Sequence, residues 1–136
     1  MKEKTFALIK PDAVKAKNTG NIISIIEDKG FEIIAMEKIG LSREKAAKFY
    51  SAHKDRPFFQ ELIDFIISGP VVALVLEKED AISQWRNLMG ETDSKKAKSG
   101  TIRNLFGTDV GKNATHGSDS KESSEIEINL FFPNLS

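Results

Sequence analysis

The 136-residue chain contains no cysteine. Disulfides, thiolate nucleophiles and Cys-based zinc sites are therefore excluded. It also lacks an excess of either charge, with 20 Lys and Arg against 20 Asp and Glu. A zero net charge produces no overall field toward nucleic acid or an anionic membrane, so no strong nucleic-acid binding is expected. Any phosphate-binding site must be built locally from a few placed cations. No stretch approaches the ~20 apolar residues of a membrane span. The start, Met1-Lys2-Glu3-Lys4-Thr5, runs into a strand pattern without the apolar core of a signal peptide. By elimination, a cytoplasmic location is expected. Familiar site motifs are missing as well. There is no Gly-x-Gly-x-x-Gly, no His-Glu-x-x-His, no ligand cluster for zinc and no serine nucleophile elbow. Gly107-Thr108-Asp109-Val110-Gly111-Lys112-Asn113 comes nearest to a P-loop, but it is one intervening residue short and has no Ser or Thr after the Lys.

What is present is ordinary globular material: 40% hydrophobic and 29% charged residues, enough for one domain over residues 1–136 with a sizeable core. Thr5 to Ile9 is a β-rich run stopped by Lys10-Pro11-Asp12, where Asp12 offers a turn or cap. Ile22, Ile23, Ile25 and Ile26 recur at helical spacing, and Gly30 closes that helix. Phe31 to Ile39 reads as a strand, and Ser42 caps a helix carrying Ala46, Ala47, Phe49 and Tyr50. Phe58, Leu62, Phe65 and Ile66 outline a further amphipathic helix. Val71 to Leu76 is apolar throughout, as a central strand buried on both faces requires. Asp80 to Leu88 is helical, Gly90 to Lys112 reads as a long polar loop, and Asp119 or Ser120 caps a last helix to about Phe131. This order predicts an α+β fold, a ferredoxin-like βαββαβ sandwich with a four-stranded antiparallel sheet and helices packed on one face.

Histidine is scarce, and that directs attention to one place. Of the two histidines, His53 lies in the polar run Ala52-His53-Lys54-Asp55 and reads as a solvated residue. His116 lies in Asn113-Ala114-Thr115-His116-Gly117-Ser118-Asp119-Ser120, between a short strand-like segment and a helix start. A neutral imidazole held at such a junction suits covalent relay chemistry. Lys10, Arg86 and Arg103 are cations that could surround it, and guanidinium groups grip phosphate oxygens in bidentate fashion.

In six blocks along nearly its whole length the chain resembles the nucleoside diphosphate kinase family. The blocks are Thr5 to Val14, Arg56-Pro57-Phe58-Phe59, Ser68 to Val72, Gly90-Glu91-Thr92, Gly100-Thr101-Ile102-Arg103 and Asn113 to Ser120. The resemblance implies transfer of the γ-phosphate of a nucleoside triphosphate, typically ATP, to a nucleoside diphosphate through a phosphohistidine. It implies His116 as the nucleophile, conventionally through Nδ1, Glu127 as the carboxylate that orients it, and Ser118 as the bridge to that carboxylate. Glu125 is the alternative to Glu127. A helical period sets the two about 200° apart, so only one can face the histidine. Lys10, Tyr50, Arg86, Thr92, Arg103 and Asn113 match positions that hold phosphates and ribose, and Phe58, Leu62 and Val110 match the slot where the base stacks. Stacking is tolerant of base identity, so broad base acceptance is expected. Mg²⁺ would arrive on the nucleotide phosphates, with no metal site of the protein's own. A homo-oligomer, tetramer or hexamer, is implied. Asp93-Ser94 stands where many members carry Asn-Pro, Asn104-Leu105 replaces a more usual pair, and the chain stops soon after its last helix. These departures leave tetramer against hexamer open. Two other uses of such a fold remain, a nucleic-acid-binding module and a phosphorelay carrier.

Overall fold

The computed structural model describes residues 2–109 and 112–135. Its sheet has four strands, β1 (Lys2–Ile9), β2 (Glu32–Ile39), β3 (Val71–Glu79) and β4 (Thr115–Gly117), in the order β2-β3-β1-β4. Every pairing is antiparallel. The helices are α1 (Pro11–Lys15), α2 (Thr19–Asp28), α3 (Arg43–Phe49), α4 (Phe59–Ile66), α5 (Ala81–Met89), α6 (Ile102–Phe106) and α7 (Lys121–Phe131), with 3-10 turns at Ser51–His53 and Ser94–Lys96. This is the expected βαββαβ arrangement with additions.

One expectation is corrected. Helices cover both faces of the sheet, not one. On the first face Ala7, Ile9, Val72, Leu74 and Leu76 pack with Ile22 and Ile26 of α2 and Trp85 and Met89 of α5. On the second, Phe6, Leu8, Val71 and Ala73 pack with Ala46 and Phe49 of α3, Ile63 and Ile66 of α4, and Phe131 of α7. Successive strand residues point to opposite faces, so the apolar runs of β1 and β3 supply both layers.

Local chemistry sets the boundaries. Pro11 opens α1, where its fixed φ and missing N–H cost nothing, so Lys10-Pro11-Asp12 begins a short helix rather than only a turn. Gly30 takes a φ of 86° just past α2. The hydroxyls of Ser42, Thr101 and Ser120 accept the main-chain N–H three residues on and cap α3, α6 and α7. The 90–112 stretch is thus not all loop, since it holds α6 and a 3-10 turn. Among the described residues no helix is long and apolar enough to cross a membrane.

The strand β4 has three residues and, among the described residues, pairs only with β1. A second anchor holds it: Trp85 Nε1 donates to the His116 carbonyl at 3.2 Å. Gly117 lies so close to this indole that a Cβ there would sit 2.4 Å from Trp85 Cδ1 and 2.7 Å from Met89 Cε. Both side chains are buried, so neither can swing away freely. Gly117→Ala should therefore lower stability by about 1–3 kcal/mol through overpacking. Urea unfolding checks this, and an unchanged midpoint would show that the layer yields.

Candidate active site

His116 occupies β4 itself and not the junction beside it. Its ring packs edge-on against Phe49 at a centroid distance of 4.8 Å, with Phe6 at 6.4 Å. Nε2 lies 3.2 and 3.3 Å from the two oxygens of Glu127. A carboxylate can only accept, so Nε2 carries the proton and Nδ1 keeps its lone pair. Nδ1 has no hydrogen-bond partner among the described residues. The side chain of His116 is 25% exposed, which leaves a path to the ring.

Glu127 is fixed in turn. Ser118 Oγ donates to Glu127 Oε1 at 2.8 Å, and Phe6 N donates to Ser118 Oγ at 3.3 Å. The helix α7 that carries Glu127 is tied to β1 by Ser124 Oγ, which donates to the Lys4 carbonyl. Glu125 is exposed and lines a separate concavity of about 760 Å³ with Lys2 and Glu3. Between the two carboxylates, it is Glu127 that meets the histidine.

Cations crowd the other side. Lys10 is buried at the end of β1, and its Nζ donates to Asn113 Oδ1 at 2.8 Å. Asn113 Nδ2 donates to the Thr92 carbonyl at 3.0 Å. Arg103, at the start of α6, is buried with its Nη1 donating to the Gly90 carbonyl and Nη2 to the Thr115 carbonyl. Its Nε–H is buried without a partner among the described residues. Burial and the nearby Arg103 push the Lys10 ammonium down to about 8, with Asp12 opposing. Burial and then Arg86 push Arg103 down to about 10. Burial also lowers the His116 imidazole. Its bond to Glu127 and that carboxylate's charge oppose the shift, while Lys10 and Arg103 reinforce it. The ring is therefore neutral at neutral pH.

The remaining positions spread outward. Arg86 and Thr92 are exposed and line, with Arg103, a cleft of about 470 Å³. Tyr50 is buried against Phe49, with its hydroxyl pushed up by burial and by the Glu127 charge. Phe58 is 42% exposed, just ahead of α4, and Leu62 lies one turn along, half-buried. Neither touches His116. The link to Phe58 runs through rings, Tyr50 to His53 at 6.4 Å and His53 to Phe58 at 6.0 Å. The exposed His53 is therefore less isolated than its polar surroundings suggest. Val110 lies outside the described residues.

Three contributors lie outside the expected site residues: Asp12, Trp85 and Gly117. Asp12 and Gly117 stand inside matching blocks, whereas Trp85 carried no signal.

An accessible, neutral imidazole with one nitrogen blocked by a carboxylate, beside clustered cations, can take and pass on a phosphoryl group. The family profile for nucleoside diphosphate kinase matches residues 3–136. The chain belongs to the nucleoside diphosphate kinase family. Relatives so named include one from Persephonella marina, 51% identical over 98% of this chain and 95% of its own, and one from Chlamydia muridarum, 52% identical over 96% and 92%. Among solved structures, the nucleoside diphosphate kinase of Aquifex aeolicus superposes with a TM-score of 0.95 at 47% identity, covering 97% of this chain and 96% of that one. That of Halobacterium salinarum, in complex with CDP, gives 0.95 at 43% identity, covering 98% and 90%. As a nucleoside diphosphate kinase, the protein moves the γ-phosphate of a nucleoside triphosphate to a nucleoside diphosphate by a ping-pong reaction through a phosphohistidine.

Kinases of this family generally use a divalent metal. Among the described residues there is no group of three or more His, Asp or Glu that could hold one. Opposite Glu127, the charges of Lys10 and Arg103 act on the His116 ring, and such cations oppose a metal ion held on that side by the protein alone.

Glu127 raises the His116 pKa against the effect of burial. Glu127→Gln keeps an acceptor but removes the charge, so the imidazole should titrate at still lower pH. Histidine ¹⁵N NMR reads this directly, and an upward shift would mean that Glu127 does not act on the ring as a charge.

Proposed function

We propose that His116 is the residue phosphorylated, at Nδ1, and that residues 1–136 act as one catalytic domain. The observation that carries this reading is the bond from Nε2 to Glu127, which leaves Nδ1 as the only ring nitrogen with a lone pair. Glu127 and Ser118 orient the ring. Lys10, Arg86 and Arg103 oppose the phosphate charge, with the Nε–H of Arg103 a donor still unused among the described residues. Thr92, Asn113 and Tyr50 complete the phosphate and ribose contacts, and Phe58, Leu62 and Val110 form the slot for the base. A half-exposed phenyl ring offers stacking without an edge to read, which supports broad base acceptance.

In the first half-reaction the Nδ1 lone pair attacks the γ-phosphorus. The bond from that phosphorus to the oxygen bridging to the β-phosphate breaks, and the diphosphate leaves with the electron pair. The ring becomes a phosphorylated imidazolium that keeps its Nε2 proton, and Glu127 stabilises the new positive charge. No proton has to leave the histidine. In the second half-reaction a terminal oxygen of the acceptor diphosphate attacks the same phosphorus and the N–P bond breaks. Donor and acceptor thus use one site in turn. Mg²⁺ arriving with the nucleotide would supply further charge neutralisation beside Lys10, Arg86 and Arg103. The reading extends to a homo-oligomer, tetramer or hexamer, in the cytoplasm, and the CDP complex of the halobacterial relative favours a nucleotide cleft in this chain too.

Intact-mass analysis after brief mixing with ATP and Mg²⁺ tests this. The protein should gain one phosphoryl group, lose it to GDP, CDP or UDP alike, and gain none as His116→Ala. Labelling that persists in His116→Ala would place the intermediate elsewhere. A second check uses pH. Lys10 is charged below about 8 and neutral above it in the free enzyme. Since kcat/KM reports free-enzyme groups, it should fall as pH rises through about 8, whereas kcat holds to higher pH because bound phosphates favour the ammonium. A flat kcat/KM to about pH 10 would remove the Lys10 charge from phosphate binding.

A further inference from the structure

The residue two before His116 adopts a conformation that ordinary side chains avoid. Ala114 has a φ of 72°, and the Thr115 N–H reaches back to the Asn113 carbonyl at 2.8 Å. Together these make a γ-turn of the rare positive-φ kind, which is strained for any residue with a Cβ. The turn is buried, and β4 starts at its end. Its geometry therefore sets the direction in which His116 enters the site.

A side chain outside the predicted site set holds this turn in place. Asp12 Oδ2 accepts the Ala114 N–H at 3.1 Å, and the Lys10 N–H donates to the Ala114 carbonyl at 2.8 Å. Both polar groups of the strained residue are thus held by the segment that follows β1. Asp12 Oδ1 is buried with no partner among the described residues, so the carboxyl is kept in place at a solvation cost. That cost is offset if the bond to Ala114 maintains a backbone shape the chain would otherwise abandon.

We infer that Asp12 is a positioning residue for phosphoryl transfer: by holding the Ala114 turn in its left-handed form it aims the His116 imidazole, without touching nucleotide. This rests on the reading of His116 as the phosphorylated residue. Asp12 acts through main-chain geometry. Glycine adopts positive φ without the Cβ penalty, so glycine at position 114 should make the clamp dispensable.

The test compares Asp12→Ala, Asp12→Asn and the double variant Asp12→Ala/Ala114→Gly. Two readouts are used: the single-turnover rate of protein phosphorylation by ATP, and the ¹⁵N spectrum of the His116 ring. Asp12→Ala should phosphorylate about 10- to 100-fold more slowly, with the KM for nucleotide little changed, and should weaken the Nε2–H signature set by Glu127. Asp12→Asn, which can still accept from Ala114 N–H, should retain much more of the rate. The double variant should recover most of the rate and the ring signature. A wild-type rate in Asp12→Ala, an Asp12→Asn as slow as Asp12→Ala, or no rescue by Ala114→Gly would each overturn the inference. If Asp12→Ala does not fold, the double variant must fold, and its failure to do so counts against the turn in the same way. Should the wild-type protein take no phosphate on His116, the reading of the nucleophile fails, while the ring spectra of the variants still decide the positioning role.

Discussion

The hydrogen bond from His116 Nε2 to Glu127 is the constraint around which the centre is arranged. An imidazole has two nearly equivalent nitrogens, and selective chemistry at one requires the other to be engaged. Glu127 does this only because α7 is docked where it is. Ser118 holds the carboxylate, Phe6 N–H holds Ser118, and Ser124 ties the helix to β1. The aromatic layer of Phe6, Phe49 and Phe131 fills the space beneath the ring. The second core is therefore also the support of the catalytic histidine proposed here, and its packing sets the distance between ring and carboxylate.

Against that support stands a concentration of positive charge in a chain of zero net charge. Lys10 and Arg103 are both buried, and both are pushed toward their neutral forms, the lysine partly by the arginine. Without a ligand this is an unfavourable arrangement, eased by main-chain carbonyls at Gly90 and Thr115 and by the Asn113 amide. On the site reading proposed here, triphosphate brings the opposite charge, and its binding relieves repulsion already present in the fold. An anion that binds the folded state alone also stabilises it.

Much of this architecture is legible in the sequence, and the parts that are not share a cause. The apolar run Val71 to Leu76, the paired isoleucines of α2 and the Ser42 cap announce their elements because each repeats over two turns or several strand residues. The helices α1 and α6 have five residues each and β4 has three, too few for any period to emerge. Covering of both sheet faces was implicit in β3 but not in β2, whose exposed Glu37 and Lys38 belong to an edge strand. At the site, the blocks contain His116, Ser118, Lys10, Asn113 and Arg103, the family resemblance added Glu127 over Glu125, and these six do converge in space. Phe58 joins that group only through the rings of Tyr50 and His53. Asp12 and Gly117 stand inside the matching blocks, but what they do there was not legible, and Trp85 was silent, because Asp12 and Trp85 bind main-chain atoms and Gly117 makes room for a distant indole.

The bonds that assemble the centre join distant parts of the chain. Lys10 meets Asn113 across 103 positions, Asp12 meets Ala114 across 102, and Phe6 meets Ser118 across 112. Contacts of such long range form late, since the loops they close must first be ordered. During synthesis the first strand leaves the ribosome with Lys10 and Asp12 just behind it and waits for their partners. A partly made or partly unfolded chain thus has no aligned imidazole to accept phosphate, and competence for the reaction appears together with the complete fold.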